Sequence, residues 1–204
     1  MLLDIGCSWG RWCVAAANKG MNTVGLDPSL GAIMAAKRVS KQLGTQTHFV
    51  VGDARWLPFK HECFRTVLSY SVLQHFSYED ARQSICEVSR VLEMAGKCAI
   101  QLPNIYGIRC LYHQCRRKFK NPEKFEVRYW SPRSMHKIFN STVGNTTLNI
   151  DGFFGLGIQP ADIKLMPLLM RLLIMSSEIL KKLSKYFKFL VYFADSIWIV
   201  SRKK

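Results

Sequence analysis

The sequence predicts an α/β fold: a mostly parallel sheet with helices on both faces, a last strand running antiparallel, and a helical cover in the C-terminal half. Three observations carry this. Short apolar runs alternate with helical patterns through the first hundred residues, as in parallel strands joined by crossover helices. A glycine or an acidic residue stands where each of the first three runs ends. Beyond Pro103 the alternation breaks, and helical patterns lead to a final β-like run.

Leu2 to Ile5 reads as a short buried strand, followed by a glycine turn. Arg11 to Lys19 suits a helix, with Gly20 as its stop. Thr23 to Asp27 is a second strand, and Pro28 then opens a helix to about Leu43, with Gly44 beyond. His48 to Val51 and Thr66 to Tyr70 are the third and fourth strands. Ser77-Tyr78-Glu79-Asp80 looks like a capping box. The helix behind it sets Ala81, Ile85, Val88 and Leu92 on one face and is expected to stop near Gly96. Lys97 to Leu102 is the fifth strand. Helices are then expected from Tyr106 to Phe119 and from Ser131-Pro132 to about Phe139, with a strand from Thr146 to Phe153. Ala161 to about Phe193 reads as helical, split near Pro167, and Ser196 to Ser201 as the closing strand.

With 204 residues, 49% of them hydrophobic, the chain has enough apolar matter for one domain with a real core. Cysteines 7, 13, 63, 86, 98, 110 and 115 are odd in number and form no C-x-x-C pair. That excludes a disulfide or zinc framework, so no metal is expected, and reduced thiols fit a cytoplasmic protein. Met1-Leu2-Leu3-Asp4 has no basic region of a signal peptide. The apolar stretch 163–200 is cut by charges too often to span a membrane. Residues 1–102 hold 11 Lys/Arg against 8 Asp/Glu, a net of +3. Residues 103–204 hold 18 against 6, a net of +12, and carry the basic surface.

Chemistry concentrates at the strand ends. In Leu3-Asp4-Ile5-Gly6-Cys7-Ser8-Trp9-Gly10 a strand passes through small residues into a helix. Glycine permits close approach to a ligand, and a helix start offers N–H groups to a carboxylate. Asp27 is placed to accept both hydrogen bonds of a ribose diol, or to cap the helix after Pro28-Ser29. Gly52-Asp53-Ala54 offers a carboxylate to an exocyclic amine, or is a turn. Three such places at successive strand ends converge on one nucleotide crevice.

These pieces, with Ser69-Tyr70-Ser71-Val72-Leu73-Gln74-His75-Phe76, resemble the class I S-adenosylmethionine-dependent methyltransferases, in particular the methyltransferase type 11 group. The likeness spans residues 2 to about 102 and implies a Rossmann-like fold with S-adenosyl-L-methionine as cofactor. It implies that Asp4, Gly6, Cys7, Ser8 and Gly10 line the methionine end, and that Asp27, with Pro28, holds the ribose. It implies that Asp53 meets the adenine amine with the Ala54 backbone beside it, and that Ser69 and Gln74 sit near the reacting methyl. Ser8 replaces the usual middle glycine, Trp9 a threonine, Arg65 an aspartate, and Met94-Ala95-Gly96 a Pro-Gly-Gly. The family's helical segment before the first strand is expected to be missing here. A nicotinamide dehydrogenase fits less well, since G-x-G-x-x-G would fall on Gly6, Ser8 and Arg11. One domain is therefore expected over 1–204: a cofactor half at 1–102, acceptor-side helical insertions at 103–195, and a closing strand at 196–202.

The acceptor side is less legible. Methyl transfer needs a base only where the acceptor must lose a proton. His75 is the candidate, against a role in merely shaping the pocket. Tyr70, Tyr106, His113 and Tyr129 are acceptor-pocket candidates or packing residues. Arg109, Arg116, Arg117, Lys118, Lys120, Lys124 and Arg128 interleave with Tyr112, Phe119, Phe125, Tyr129 and Trp130. That mixture suits nucleic acid, a phosphorylated or lipid-linked substrate, or a solvated basic face. Against RNA, no Asn/Asp-Pro-Pro-aromatic signature follows the fourth strand. Leu180, Leu183, Phe187 and Leu190 share a helical face flanked by Lys181, Lys182, Lys185 and Lys188, which suits peripheral contact with an anionic membrane or packing over the acceptor site. The expected function is methylation, on oxygen or nitrogen, of a small or lipid-linked acceptor. The rivals are an RNA methyltransferase and a non-catalytic partner protein of the same fold.

Overall fold

The computed structural model describes residues 1–123, 125–155 and 160–204, with side chains in the last stretch from Ile163 onward. Lys124, one of the basic residues noted above, lies outside the described residues. Among the described residues seven strands form one sheet: β1 (Leu2–Ile5), β2 (Thr23–Asp27), β3 (Thr47–Val51), β4 (Phe64–Tyr70), β5 (Leu92–Pro103), β6 (Gly144–Gly152) and β7 (Ser196–Lys203). Their order is β3-β2-β1-β4-β5-β7-β6. Neighbours from β3 to β5 pair in parallel, and β7 runs antiparallel to both β5 and β6. The inner strand β1 is apolar except for Asp4 and is buried throughout, as a strand covered on both faces requires.

Among the described residues six α-helices flank the sheet: α1 (Arg11–Ala17), α2 (Leu30–Gln42), α3 (Tyr78–Val91), α4 (Ile108–Arg116), α5 (Pro132–Thr142) and α6 (Leu168–Leu183). Two starts, at Ser77 and Ser131, fall where the sequence places them, whereas α2 begins at Leu30 with Ser29, not Asp27, as its cap. Ser29, Ser77 and Ser131 each accept a backbone N–H in the first turn of α2, α3 and α5. In α3 only half of the capping box forms, because the Asp80 carboxylate turns to Arg55 at 3.2 Å. Gly107 has no side chain with which to cap α4. Asp195, distant in sequence, does so instead: its Oδ1 accepts from the N–H groups of Arg109 (2.7 Å) and Cys110 (3.0 Å).

The main core lies between the sheet and α3 and α5, through Ala81, Ile85, Val88, Met135 and Phe139. Burying each large apolar side chain there contributes about 1.5–3 kcal/mol. A smaller cluster of Cys7, Cys13, Ile33, Ala36 and Phe49 packs below the turn after β1.

Three expectations need correction. The α3 helix ends at Val91, not near Gly96. Leu92 already pairs with Phe64, the next pairing on this edge is Lys97 with Thr66, and so the residues between them bulge. The helix predicted over 106–119 is shorter, beginning only where Asp195 caps it. The region from Ala161 to Phe193 is not two helices but α6 between two 3-10 turns, Pro160–Leu165 and Lys188–Tyr192. The break at Pro167 is present; a second follows Leu183. Leu180 and Leu190 therefore do not share a helix, and both pack on the main core. The exposed apolar face of α6 is instead Leu168, Leu169, Leu172, Met175 and Ile179. Ser177 on the opposite face takes the Phe153 N–H at 3.1 Å, which fixes α6 beside the end of β6. Among the described residues no helix is long and apolar enough to cross a membrane.

Candidate active site

The turn after β1 owes its shape to backbone conformation. Gly6, Ser8 and Gly10 all have left-handed φ, at 72°, 49° and 88°. A Cβ on Gly6 would collide with Val72, which follows β4. Gly10 packs instead on Phe49 and Ala36, whose nearest atoms would lie 3.1 and 3.2 Å from an added Cβ. Ser8 carries the strain that a glycine would not, and its N–H donates to Asp27 Oδ2 at 3.0 Å. Asp27 Oδ1 accepts from the Ser29 N–H at 2.9 Å, so its carboxylate braces the turns after both β1 and β2. The helix cap itself is Ser29.

These turns wall a cleft of about 330 Å³ at the carboxyl ends of the strands. Gly6, Ser8, Asp27, Pro28, Asp53, Ala54 and His75 line it together. Ile5, Leu26, Tyr70, Ser71, Val72, Phe76 and Phe125 also line it, and of these only Tyr70 and Phe125 were singled out from sequence, for other roles. Such a volume lies within the usual range for ligand clefts.

The other expected site residues lie behind this wall or beyond it. Asp4 is 1% exposed, and its Oδ2 accepts from the Cys13 thiol at 3.4 Å. Burial pushes its pKa up to about 7, against the pull of the Cys13 bond and of Arg11. Cys7 is buried beside Cys13 over the bare face of Gly25, where an added Cβ would meet both sulfurs within 2.9 Å. Ser69 is fully buried, and its hydroxyl donates to the Ile5 carbonyl at 3.2 Å. Asp4, Cys7, Gly10 and Ser69 thus support the wall from behind.

Asp53 is held by Arg55. The guanidinium approaches Asp53 Oδ2 at 2.7 Å and also reaches Asp80, and the Arg55 N–H donates to Asp53 Oδ1 at 2.9 Å. This pairing keeps the Asp53 carboxyl below its ordinary pKa. His75 stacks on Phe125 with ring centroids 4.0 Å apart. Its Nδ1 lies 2.9 Å from the Phe125 carbonyl, so Nδ1 donates. Its Nε2, 3.2 Å from Gln74 Nε2, is then left to accept. Both ring nitrogens are engaged within the protein, as suits a residue that shapes the wall.

A second cavity, of about 340 Å³, adjoins the first, and Tyr70 lines both. Gln74, His113 and Tyr129 line it, together with Arg109, Asp151, Asp195, Gln101 and Ser196. Tyr106 does not; it tilts against Tyr192 at the surface. No described residue of α6 lines this cavity, so α4 and the segment through Val127 and Tyr129 take the place expected of that helix. A side-chain chain ties the two cavities. Ser71 donates to Gln101 Oε1 (2.6 Å), Gln101 Nε2 to Ser196 Oγ (2.6 Å), and Ser196 to Asp151 Oδ2 (2.7 Å). Trp198 Nε1 donates to Asp151 Oδ1 at 2.9 Å. Sequence reading missed these residues. The one signal was a lone acid, Asp195, in an otherwise apolar run.

Comparison with known proteins agrees with this geometry. Residues 2–96 match the family described as a methyltransferase domain. The chain is similar to the ubiquinone biosynthesis O-methyltransferase of Azorhizobium caulinodans, 34% identical over 96 residues, 47% of this chain and 34% of that one. It is also similar to the probable tRNA methyltransferase 9B of Homo sapiens, 32% identical over 101 residues, 49% of this chain and 20% of that one. The chain thus spans only a minor part of the curated relatives it matches. Its fold is shared with magnesium protoporphyrin IX methyltransferase from Synechocystis, solved with bound SAH (S-adenosylhomocysteine), at a TM-score of 0.65 and 13% identity, covering 100% of this chain and 74% of that one. Residues 2–96, just under half of the chain, thus carry the sequence pattern of a methyltransferase domain, on a fold shared with a solved protein described as a SAM-dependent methyltransferase.

Proposed function

We propose that this chain transfers a methyl group from S-adenosylmethionine to the oxygen or nitrogen of a small or lipid-linked acceptor. The observation that carries the reading is the pair of adjoining cavities with Tyr70 as common wall. The first fits the cofactor. Its left-handed turn admits close approach, and Asp27 retains acceptor capacity on both oxygens for a ribose diol. Asp53 and Ala54 stand at the adenine end, where Asp53 would share its lone pairs between Arg55 and the exocyclic amine. When bound, the cofactor supplies an electrophilic methyl on a sulfonium. The chain's own part is then chiefly to align the acceptor and exclude water. The second cavity is of a size for a small molecule or a headgroup. The exposed apolar face of α6, with Lys182, Lys185 and Lys188 exposed just beyond it, suits rest on an anionic membrane.

An RNA acceptor is the second reading. It is favoured by the exposed Arg109 and Arg116 on α4, and the human relative is named as a probable tRNA methyltransferase. Radiolabelled methyl transfer to total RNA, lipid extract and small-metabolite pools separates the readings. Label in RNA alone would overturn the proposal, and label nowhere would favour a non-catalytic partner protein. Cofactor binding is tested by calorimetry with S-adenosylhomocysteine. Asp27→Ala removes the ribose acceptor and the brace on Ser8, and should weaken binding by about 1–3 kcal/mol. Unchanged affinity in the variant would remove Asp27 from the site.

A further inference from the structure

The turn after β3 does not hold its shape alone. Helix α3 straps it at several points. Glu87 accepts the Leu57 N–H at 2.8 Å, and Arg90 donates to the carbonyls of Leu57 (2.9 Å) and Phe59 (2.8 Å). Gln83 donates to the Arg55 carbonyl at 3.3 Å. Arg55 adds a strap that ends on a side chain of the first cleft. Its Nη1 donates to Asp80 Oδ1 in the first turn of α3 at 3.2 Å, and its Nη2 to Asp53 Oδ2 at 2.7 Å. Its Nε lies between the two Asp53 oxygens, at 3.1 and 3.2 Å. The guanidinium also lies over the Trp56 ring, 4.6 Å from its centre, and 5.9 Å from the centre of Phe76, which lines the cleft with Asp53.

A carboxylate has about four acceptor sites. Three N–H groups take up those of Asp53: the Arg55 backbone N–H on Oδ1 at 2.9 Å, Nη2 on Oδ2, and Nε shared between the two. Room for a further donor remains, and the side chain is 33% exposed where it lines the cleft. A free carboxylate on a turn would have to be ordered when a ligand binds, at an entropic cost. This one is ordered beforehand. A planar fork fixes both of its oxygens at once, and the fork is itself fixed by Asp80. The same fork holds the Asp53 carboxyl below its usual pKa, so at neutral pH it is ionised and only accepts.

We infer that Arg55 is the positioning residue for the cofactor's base: anchored on Asp80, it aims the remaining acceptor capacity of Asp53 at an N–H of the 6-amino group, so that the cleft selects a 6-amino over a 6-oxo purine. A 6-oxo base would set an oxygen against the Asp53 carboxylate and leave it without its donor. Positive charge alone does not do this, because an ammonium is a point charge on a flexible stem and cannot hold both oxygens in one plane. The inference rests on the proposed cofactor reading of the first cleft and deepens it.

The test is calorimetry on the full chain with S-adenosylhomocysteine and S-inosylhomocysteine, which carry an amino and an oxo group at position 6 of the base. The wild type should bind the adenosyl compound about tenfold more tightly. Arg55→Gln and Arg55→Lys should both bring the two affinities to within about threefold of each other, through loss of adenosyl affinity. Asp80→Ala, which leaves the Arg55–Asp53 contact in place, should lower the ratio part of the way. The ratio is the deciding quantity, because a variant that merely loosens the turn loses both compounds in equal proportion, and that result would overturn the inference. An unchanged ratio in Arg55→Gln or Asp80→Ala would overturn it, as would a full ratio in Arg55→Lys, which would assign the effect to charge. A larger ratio in Arg55→Gln would make Arg55 a competitor for Asp53 and would overturn it too. If Arg55→Gln fails to fold, the ratios of Arg55→Lys and Asp80→Ala decide. Equal binding of both compounds to the wild type would overturn this inference alone, whereas binding of neither would overturn the cofactor reading and this inference with it.

Discussion

The two cavities are walled by different means. Around the first, shape comes chiefly from backbone conformation and from bonds between near neighbours, as at left-handed Gly6 and Ser8, Asp27 to Ser29 and Asp53 to Arg55, with Ser8 to Asp27 and His75 to Phe125 as the longer links. Around the second, shape comes from side chains far apart in sequence. Gln101 meets Ser196 across 95 residues, Ser196 meets Asp151 across 45, and Asp195 meets Arg109 across 86. A wall of the first kind is written in short motifs. A wall of the second kind exists only once the sheet has closed with β7 between β5 and β6.

The largest expected effect probes what lies behind the first wall. Burial raises the Asp4 pKa from 3.8 to about 7, so the folded protein holds that proton more tightly than the unfolded chain. This term favours the fold most fully below about pH 4, and is lost as pH rises to about 7. Its full span is roughly 4 kcal/mol. Asp4→Asn removes it, so in urea denaturation the variant should gain on the wild type progressively from pH 4 to pH 7.5. Parallel stability curves would mean that Asp4 is not strained by burial.

Next comes a matched pair of glycines, one per wall. Gly6→Ala combines a left-handed alanine with a collision against Val72, and should cost roughly 2–4 kcal/mol and abolish S-adenosylhomocysteine binding. Gly155→Ala has the same backbone problem at φ 61°, but among the described residues the nearest atoms to its Cβ belong to the flexible Arg109 side chain. It should cost about 1 kcal/mol and spare cofactor binding. Equal losses in urea midpoint and affinity would erase the contrast between the walls.

The smallest effect lies outside both cavities. Each lysine changed to Gln among Lys181, Lys182, Lys185 and Lys188 should remove about 1 kcal/mol of binding to anionic vesicles, and less at high salt. Co-sedimentation with anionic and neutral vesicles measures this. Equal binding to both vesicle types would leave α6 as a helix that serves only its own domain.

The same contrast explains what could be read from the sequence. Strands β1 to β5, the caps at Ser77 and Ser131, and Gly6, Ser8, Asp27, Asp53 and Ala54 at the first cleft follow from local pattern, because each depends on its neighbours. Helix ends were misplaced where a distant partner decides them. Leu92 leaves α3 to pair with Phe64, and α4 begins where Asp195 reaches its N–H groups. In α6, apolar spacing alone did not show which face is covered. Ile174 and Ser177 turn inward, whereas Leu168, Leu172 and Met175 face out. His75 was noticed as a titratable group, but its engagement by Phe125 and Gln74 depends on a loop fifty residues on.

Tyr70 lines both compartments, with the Trp12 and Trp198 rings tilted against it at 5.7 and 5.5 Å. It acts as a partition, and a partition cannot be remodelled for one room only. Divergence toward a new substrate meets least resistance at Arg109 or His113, which line the second cavity but not the first. A change at Tyr70 alters the donor compartment in the same stroke. On the proposed two-ligand reading, the outer wall is the freer to drift, while the partition is constrained by both ligands at once.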